Sequence, residues 1–178
     1  TGGILVFDLP NLPRMNGGGV RVFGNRIFAN DTPNFAPKGN ILATVPKGTG
    51  VLVMANDGVH VFDNDLSENA TANVMIISYR PKFEDAKYNP YPRRIIVSGN
   101  RHGRAGFAPD VPGGGFLTAA FGGNAPPVWW DGTGAAAELG LRVADKVPVL
   151  GLGLALGAPT ESAKPSKVEL NGADVPQP

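Results

Sequence analysis

The chain has 178 residues, of which 17% are charged, and a formal net charge of +1 at pH 7. This balance excludes the strongly basic surface that nucleic-acid binding requires. The absence of cysteine excludes a disulfide scaffold and a cysteine-ligated metal. The longest apolar stretch, residues 147–158, is interrupted by glycines and is too short to span a bilayer.

Short β-branched runs recur along the first part of the chain, at residues 3–7, 50–54 and 73–77. The step of 23 residues from Gly50 to Asn73 is too short for a repeat of paired helices, which needs about 34–47 residues. It fits one turn of a solenoid that is built from three short strands.

A longer internal repeat runs in phase with these strands. Residues 20–34 return 39 positions later as residues 59–73, with seven identical positions, and residues 95–100 form a weaker third copy. A fixed period marks an architecture in which each copy stacks on its neighbour to bury its apolar side. Val20 is therefore expected in register with Val59, with both side chains in the core.

Asparagines recur at two fixed places in these copies. We expect them at corners of the chain, because Asn accepts left-handed backbone more readily than most residues. Aligned amides also hydrogen-bond from one copy to the next along a stacking axis. The sequence therefore predicts two ladders, Asn25/Asn64/Asn100 and Asn30/Asn69.

This pattern, with residues 34–40 and 45–55, resembles a family of exported bacterial proteins with parallel β-helix repeats. Their pectin-lyase-like fold is shared with polygalacturonases and alginate epimerases, and the resemblance covers about residues 1–100. It implies an all-β protein: a right-handed parallel β-helix of about three coils over residues 1–106. An irregular, Gly/Pro-rich capping extension would follow over residues 107–178. The resemblance also implies a periplasmic or extracellular location.

The chain opens directly on a strand motif, so the resemblance is to the C-terminal part of such a protein. A solenoid end exposes unpaired backbone and apolar core, and repeat stacks normally carry a cap there. Nothing before Gly3 can serve as that cap. We therefore expect another segment or subunit to cover the N-terminal edge.

Two long loops are predicted to flank one short turn. The segment that follows the first strand is long in the first copy (residues 8–19) and in the third copy (residues 80–93). In the middle copy the same segment has only four residues, 55–58. Because the copies stack in register, the long loops would form the walls of a notch, with Asn56 and Asp57 on its floor.

The notch carries side-chain types that suit an anionic polysaccharide. Aromatic rings stack on sugar rings, and guanidinium groups pair with uronate carboxylates. The predicted substrate-binding residues are Tyr88, Tyr91, Arg14, Arg80, Arg93 and Asn56. The alternative is that these loops only shield the sheet.

Catalytic candidates are few. His60 and Asp57 are the titratable residues predicted to transfer protons on the notch floor, although an outward-facing His on a strand is usually only solvated. His102 lies in a setting similar to the Gly-His-Gly of polygalacturonases, but the companion motifs of those enzymes are absent.

No cofactor and no metal site are predicted. A lyase-like Ca²⁺ would be held by several carboxylates, and the carboxylates nearest the predicted notch and turns are Asp57, Asp63, Asp65 and Glu68. Their spacing matches no calcium-binding motif.

The C-terminal third lacks the repeat. Trp129 and Trp130 are expected to anchor it to the core, since adjacent tryptophans in a capping segment usually do so. The glycine- and proline-rich tail is expected to cover an outward-facing stack of Phe23 on Phe62. Residues 160–178 contain few large apolar side chains, which predicts an extended or mobile end.

Two hypotheses of function follow. The leading one is an exported β-helix protein that binds an anionic polysaccharide, with lyase- or epimerase-like catalysis left open. The alternative is a noncatalytic structural or interaction module whose open N-terminal edge is completed by another segment or subunit. An acidic, a basic and a cationic side chain that converge in the notch would favour the polysaccharide hypothesis. A notch that is occupied by the tail or by another chain would favour the interaction module. Neither nucleic acid nor a membrane span is expected.

Overall fold

The computed structural model describes residues 1–170, 172 and 175. Part of the predicted mobile end, namely residues 171, 173–174 and 176–178, lies outside the described residues. The strands are β1 (Gly2–Phe7), β2 (Gly18–Phe23), β3 (Arg26–Phe28), β4 (Thr49–Met54), β5 (Asp57–Phe62), β6 (Asp65–Ser67), β7 (Ala72–Ile77), β8 (Ile96–Ser98), β9 (Arg101–His102), β10 (Val128–Trp130), β11 (Arg142–Val143), β12 (Val149–Gly151) and β13 (Ser166–Val168). The helices are α1 (Gly114–Ala120) and α2 (Ala136–Leu139), and short 3₁₀ turns lie at Ile41–Thr44 and Thr160–Ser162.

The strands form three sheets, which confirms the all-β class. The first sheet has the order β1-β4-β7-β10-β12-β13, the second β2-β5-β8-β11 and the third β3-β6-β9. Every pair is parallel except β12 with β13. We call one visit to all three sheets a pass. The first pass spans residues 2–28, the second 49–67 and the third 72–102.

The predicted register between passes is confirmed. Val20 lies opposite Val59 and Val22 opposite Val61, and in the first sheet Val51 pairs with Val74. Side chains alternate across a strand, so the β-branched residues of each pass face one interior. All three sheets contribute to this core, whose fully buried members include Val51, Val53, Val59, Val61, Leu66, Val74, Ile76 and Val97.

The corners differ from the prediction in one respect. The left-handed residue at the first corner is the one before the asparagine: Gly24 with φ 66°, Asp63 with φ 52° and Gly99 with φ 66°. At the second corner, Ala29 and Glu68 take this conformation. A left-handed residue turns the chain sharply from one sheet into the next, and the following asparagine can then direct its amide along the stack.

The parallel sheets continue past residue 106, where the sequence analysis placed the end of the coils. Strand β10 adds to the first sheet beside β7, and β11 adds to the second beside β8. The tryptophans of β10 anchor this segment as predicted: Trp129 is 1% exposed, and its indole N–H donates to the Pro126 carbonyl oxygen at 2.7 Å. No helix among the described residues is long and apolar enough to cross a membrane.

A second apolar cluster lies on the other face of the first sheet. Leu52, Met75 and Trp129 point to that face and pack with Tyr88 of the 80–93 loop and Leu117 of α1. The loops that were predicted as notch walls therefore help to cover this face, because its apolar side chains would otherwise meet water.

Candidate functional site

The two loops of the predicted notch are joined to each other. The Asn11 backbone N–H donates to Asp85 Oδ2 at 3.0 Å. Asn16 Nδ2 donates to the Lys87 carbonyl oxygen at 2.9 Å, and Asn16 Oδ1 accepts from the Asn89 N–H at 3.1 Å. The two loops therefore contact each other in the region where a polysaccharide was expected to bind.

The predicted floor is occupied by protein contacts. Asn56 is buried, and its Oδ1 accepts from the Asp57 N–H at 3.0 Å. The Asp57 carboxylate lies between two guanidinium groups, with Oδ1 at 2.9 Å from Arg94 Nε and Oδ2 at 3.4 Å from Arg93 Nε. Arg93 thus already has a carboxylate partner within the chain.

Tyr88 is a buried core residue. Its hydroxyl donates to the Asp8 carbonyl oxygen at 2.8 Å, and its ring meets those of Tyr79 and Phe83 edge to face at 5.5 and 5.2 Å. Burial, followed by the Asp8 carboxylate, raises the pKa of Tyr88. This placement leaves no ring face for a sugar and removes Tyr88 from the predicted binding set.

The remaining predicted binding residues do not converge. The Arg80 guanidinium donates to the Ala158 carbonyl oxygen, which ties it to the C-terminal part of the chain. Arg14 is exposed, and Tyr91 is half-buried beside Arg93, whose guanidinium donates to the Tyr91 carbonyl oxygen at 3.2 Å. Arg80 and Arg93 are thus engaged by backbone carbonyl oxygens of the chain itself.

His60 and Asp57 are not brought together as an acid–base pair. His60 Nε2 lies 2.7 Å from Ser98 Oγ, and its ring packs on Phe62 at 4.6 Å. Burial and the nearby Arg21 cation lower the pKa of His60, while Asp63 opposes the shift. Asp57 faces the two arginines instead.

The four candidate calcium carboxylates are separated and mostly paired with arginine. Asp65 Oδ2 lies 2.7 Å from Arg101, and Glu68 Oε2 lies 3.3 Å from Arg104. Within the part of the chain that the structure describes, no group of three or more His, Asp or Glu side chains is placed to hold a metal ion.

The outward-facing phenylalanines stack, but the predicted cover is absent. Phe23 and Phe62 have parallel rings 5.0 Å apart, yet Phe23 is 56% exposed and Phe62 only 8%. The expectation that the tail covers this strip was wrong for Phe23. Phe62 is covered by Phe23 of the preceding pass, whereas Phe23 itself has no pass above it.

The whole first pass is more exposed than the second, as Phe23 is more exposed than Phe62. Among the described residues, strand β1 pairs only with β4, β2 only with β5 and β3 only with β6, so each sheet ends there in a strand with one unpaired edge. Ile4 and Val20 are half-buried, while Val51 and Val59, their equivalents in the second pass, are fully buried. The N-terminal end therefore exposes backbone groups and the top of the core together.

The first asparagine ladder is confirmed and is longer than predicted. Asn25 Nδ2 donates to Asn64 Oδ1, and Asn64 Nδ2 donates to Asn100 Oδ1, both at 2.9 Å. Asn100 Nδ2 then donates to Asp145 Oδ2 at 2.9 Å, and the Asn100 N–H donates to Asp145 Oδ1 at 3.1 Å. A carboxylate thus ends the row of amides.

The second ladder is also confirmed, and it meets the first at a histidine. Asn30 Nδ2 donates to Asn69 Oδ1 at 2.9 Å, and Asn69 Nδ2 donates to Asn73 Oδ1 at 2.8 Å. Asn73 Nδ2 lies 3.4 Å from His102 Nδ1, and His102 Nε2 lies 2.9 Å from Asp145 Oδ2. The His102 and Asp145 side chains are 2% and 3% exposed, which suits a structural junction and leaves no opening for substrate.

Asp145 was missed by the sequence analysis, although a signal for it exists. The segment Arg142-Val-Ala-Asp145 repeats the run that leads to each ladder asparagine, with one residue fewer and Asp in place of Asn. Strand pairing of Val143 with Val97 places it in the same stack.

Both ladders have a direction. Between the corner amides, the nitrogen of one pass donates to the oxygen of the next, so each amide oxygen accepts from the N-terminal side. Among the described residues, no hydrogen-bond donor reaches Asn25 Oδ1 or Asn30 Oδ1. Two aligned acceptors therefore lie at the end where the three sheets are unpaired.

Comparison of the chain with protein-family models, with curated proteins and with solved structures finds no match. The family resemblance therefore stays a prediction.

Proposed function

We propose that the chain is a noncatalytic interaction module of the right-handed parallel β-helix type, located outside the cytoplasm, whose N-terminal edge accepts further parallel strands. The observation that carries this proposal is the set of three adjacent unpaired strand edges at one end. Unpaired N–H and C=O groups in a row are a template for another strand. Three such rows around a partly exposed core favour a complete additional pass over a single strand.

The two ends of the first sheet differ in a way that supports this proposal. At the C-terminal end, the short antiparallel strand β13 covers β12, and it carries Lys167. Short edge strands and lysines are devices that prevent unwanted pairing. Strand β1, with the sequence Gly-Gly-Ile-Leu-Val-Phe, is six residues long and has no charged residue and no proline. This edge lacks the features that discourage strand addition.

The noncatalytic part of the proposal is supported by the contacts at the predicted notch. Asp57 is paired with two arginines, Tyr88 is buried, and His60 lies beside Ser98 and Arg21 rather than beside Asp57. No acid, base and cation converge there around a space for substrate, whereas general acid–base catalysis needs such convergence within hydrogen-bond reach.

A chain with one added pass tests the proposal. A copy of residues 49–71 is placed directly before Gly2. In the native chain Thr49 precedes its strand partner Ala72 by 23 residues, and Gly2 is the equivalent position in β1. The first residue of the 23-residue copy therefore precedes its expected partner Gly2 by the same distance along the chain. The expected result is a rise in Tm of about 4–8 °C, given a gain of about 2 kcal/mol, with slower hydrogen exchange in β1. A scrambled copy of the same 23 residues is the control. Equal Tm values for the two fusions would refute strand acceptance.

Polysaccharide binding remains a second candidate, and a different surface favours it. An open groove of about 650 Å³ is lined by Arg104, Lys167, Asn124, Phe121 and prolines, a size typical of ligand sites. The Arg104 guanidinium lies 3.9 Å from the centre of the Phe107 ring, which fixes its plane. Cations beside apolar and aromatic surface suit an acidic saccharide.

Calorimetric titration with uronate oligosaccharides tests this second candidate. We expect binding that weakens with salt and falls about tenfold when Arg104→Gln and Lys167→Gln are combined, a loss of about 1.4 kcal/mol. Arg101→Gln is the matched control, because Arg101 is an exposed, ion-paired arginine that does not line the groove. Binding that is equal in the double variant and the control would exclude the groove as the site.

A further inference from the structure

We infer that the partner of the N-terminal edge is a parallel pass that presents a side-chain amide at each of its two corners, and that the ends of the asparagine ladders recognise these amides. This inference rests on the proposed function and specifies its partner. It follows from the direction of the ladders, from the number of donors that each amide oxygen accepts, and from the chemistry of the opposite end.

The first ladder defines what Asn25 Oδ1 is placed to accept. Asn64 Oδ1 receives the Asn25 backbone N–H at 3.1 Å and Asn25 Nδ2 at 2.9 Å. Asn100 Oδ1 receives the same two groups of Asn64 at 3.0 and 2.9 Å. Each amide oxygen therefore accepts two donors from one residue of the preceding pass. An added asparagine supplies both donors to Asn25 Oδ1, whereas alanine supplies only the backbone N–H.

The amide nitrogens also hold the preceding pass through its backbone. Asn64 Nδ2 donates to the Val22 carbonyl oxygen at 2.9 Å, and Asn100 Nδ2 donates to the Val61 carbonyl oxygen at 2.9 Å. At the second corner, Asn69 Nδ2 lies 3.2 Å from the Ile27 carbonyl oxygen. Each corner asparagine is thus bonded to the pass above it by both side-chain atoms, so a new pass meets groups that are already oriented.

A second copy of this chain is a poor occupant in either orientation. In a head-to-tail arrangement, the ladder of the second copy would end in Asp145, whose carboxylate has no N–H to donate to Asn25 Oδ1. Strand β13 also covers the first sheet at that end. In a head-to-head arrangement, the amide oxygens of both copies would face one interface without donors. The geometry therefore favours a parallel pass with Asn at its corners over a second copy of residues 1–170.

Corner variants of the fused chain test this inference. In the added copy alone, the residues that correspond to Asn64 and Asn69 are changed together by Asn→Ala or by Asn→Asp, and the native positions are left intact. We expect the Asn→Ala pair to lose at least half of the Tm gain and the Asn→Asp pair to lose all of it, because a carboxylate would meet the amide oxygens without a proton to donate. The matched control is Ser67→Ala in the copy, a truncation at a strand position that is outside both ladders.

The outcomes separate the inference from the function on which it rests. A Tm gain that is equal for the Asn, Ala and Asp copies would overturn amide recognition and leave strand acceptance standing. No gain for any copy, including the unaltered one, would overturn both. Sedimentation of the unfused chain as a stable dimer, with β1 protected from hydrogen exchange in that dimer, would overturn the inference in favour of a second copy.

Discussion

Replacement of Asp145 by alanine is expected to destabilise the chain by about 3 kcal/mol, because polar groups that lie against its buried carboxylate would lose that partner. Asp145 accepts hydrogen bonds from the N–H and Nδ2 of Asn100 and lies 2.9 Å from His102 Nε2. Alanine would leave the Asn100 N–H and His102 Nε2 without this partner, whereas Asn100 Nδ2 keeps its bond to the Val61 carbonyl oxygen. Each buried unsatisfied group costs about 1–3 kcal/mol. The measurement is the free energy of unfolding in urea.

Two further variants sharpen that measurement. Asp145→Asn keeps an oxygen acceptor for Asn100 and extends the row of amides, so we expect it to restore most of the lost stability. Asp31→Ala removes an exposed carboxylate that is outside the ladders and is expected to change the free energy of unfolding by less than about 0.5 kcal/mol. An Asp145→Ala protein as stable as Asp31→Ala would show that the ladders do not depend on this terminus.

The repeated part of the fold could be predicted because its signals are local and periodic. Alternating valines identify the strands and their inner face, and the spacing of 39 residues sets Val20 against Val59. Asparagines at equivalent places indicate the ladders. Each of these features follows from the requirement that successive passes bury the same side, which a sequence period expresses directly.

The contacts that occupy the predicted notch have no such period. Asn11 meets Asp85 across 74 positions, and Asp57 finds Arg93 and Arg94 across a long loop. Loop conformation depends on which polar groups meet when the strands are in register, and no pattern in the sequence encodes those pairs. A prediction from stacking alone therefore gave walls around a notch, because it could not include hydrogen bonds between the walls.

The extent of the stack was underestimated for a related reason. Strands β10, β11 and β12 have three, two and three residues, too few for alternation to be recognised, and only pairing with a formed neighbour stabilises them. The buried Asp131, which follows Trp130 directly, was not singled out at all. Its importance depends on partners 53 positions earlier in the chain, at Ser78.

Asp131→Ala is expected to destabilise the chain by about 3 kcal/mol, since three donors would lose their acceptor. Asp131 Oδ2 accepts from the Ser78 N–H at 2.7 Å, and Oδ1 accepts from the N–H and Oγ1 of Thr133 at 3.0 and 2.8 Å. The carboxylate also faces the Arg80 cation, which would lose its counter-charge. Thermal unfolding measures the loss, and Asp31→Ala, which removes an exposed carboxylate, is the control. A Tm equal to that of the control would contradict this role.

The same carboxylate gives the chain a defined dependence of stability on pH. Burial raises the pKa of Asp131, and the hydrogen bonds from Ser78 and Thr133, together with Arg80, oppose the shift without cancelling it. Because the folded-state pKa is raised, the folded chain binds the Asp131 proton more readily than the unfolded chain does. This contribution to the free energy of unfolding is fully present below the unfolded-state pKa of 3.8 and is lost as pH rises through the folded-state pKa.

The side chain of the Asp131→Asn variant cannot titrate, so the stability of the native chain relative to this variant should fall with rising pH. Parallel pH profiles of the two proteins would contradict the assignment, because the slope is expected only if the buried carboxylate itself takes up the proton.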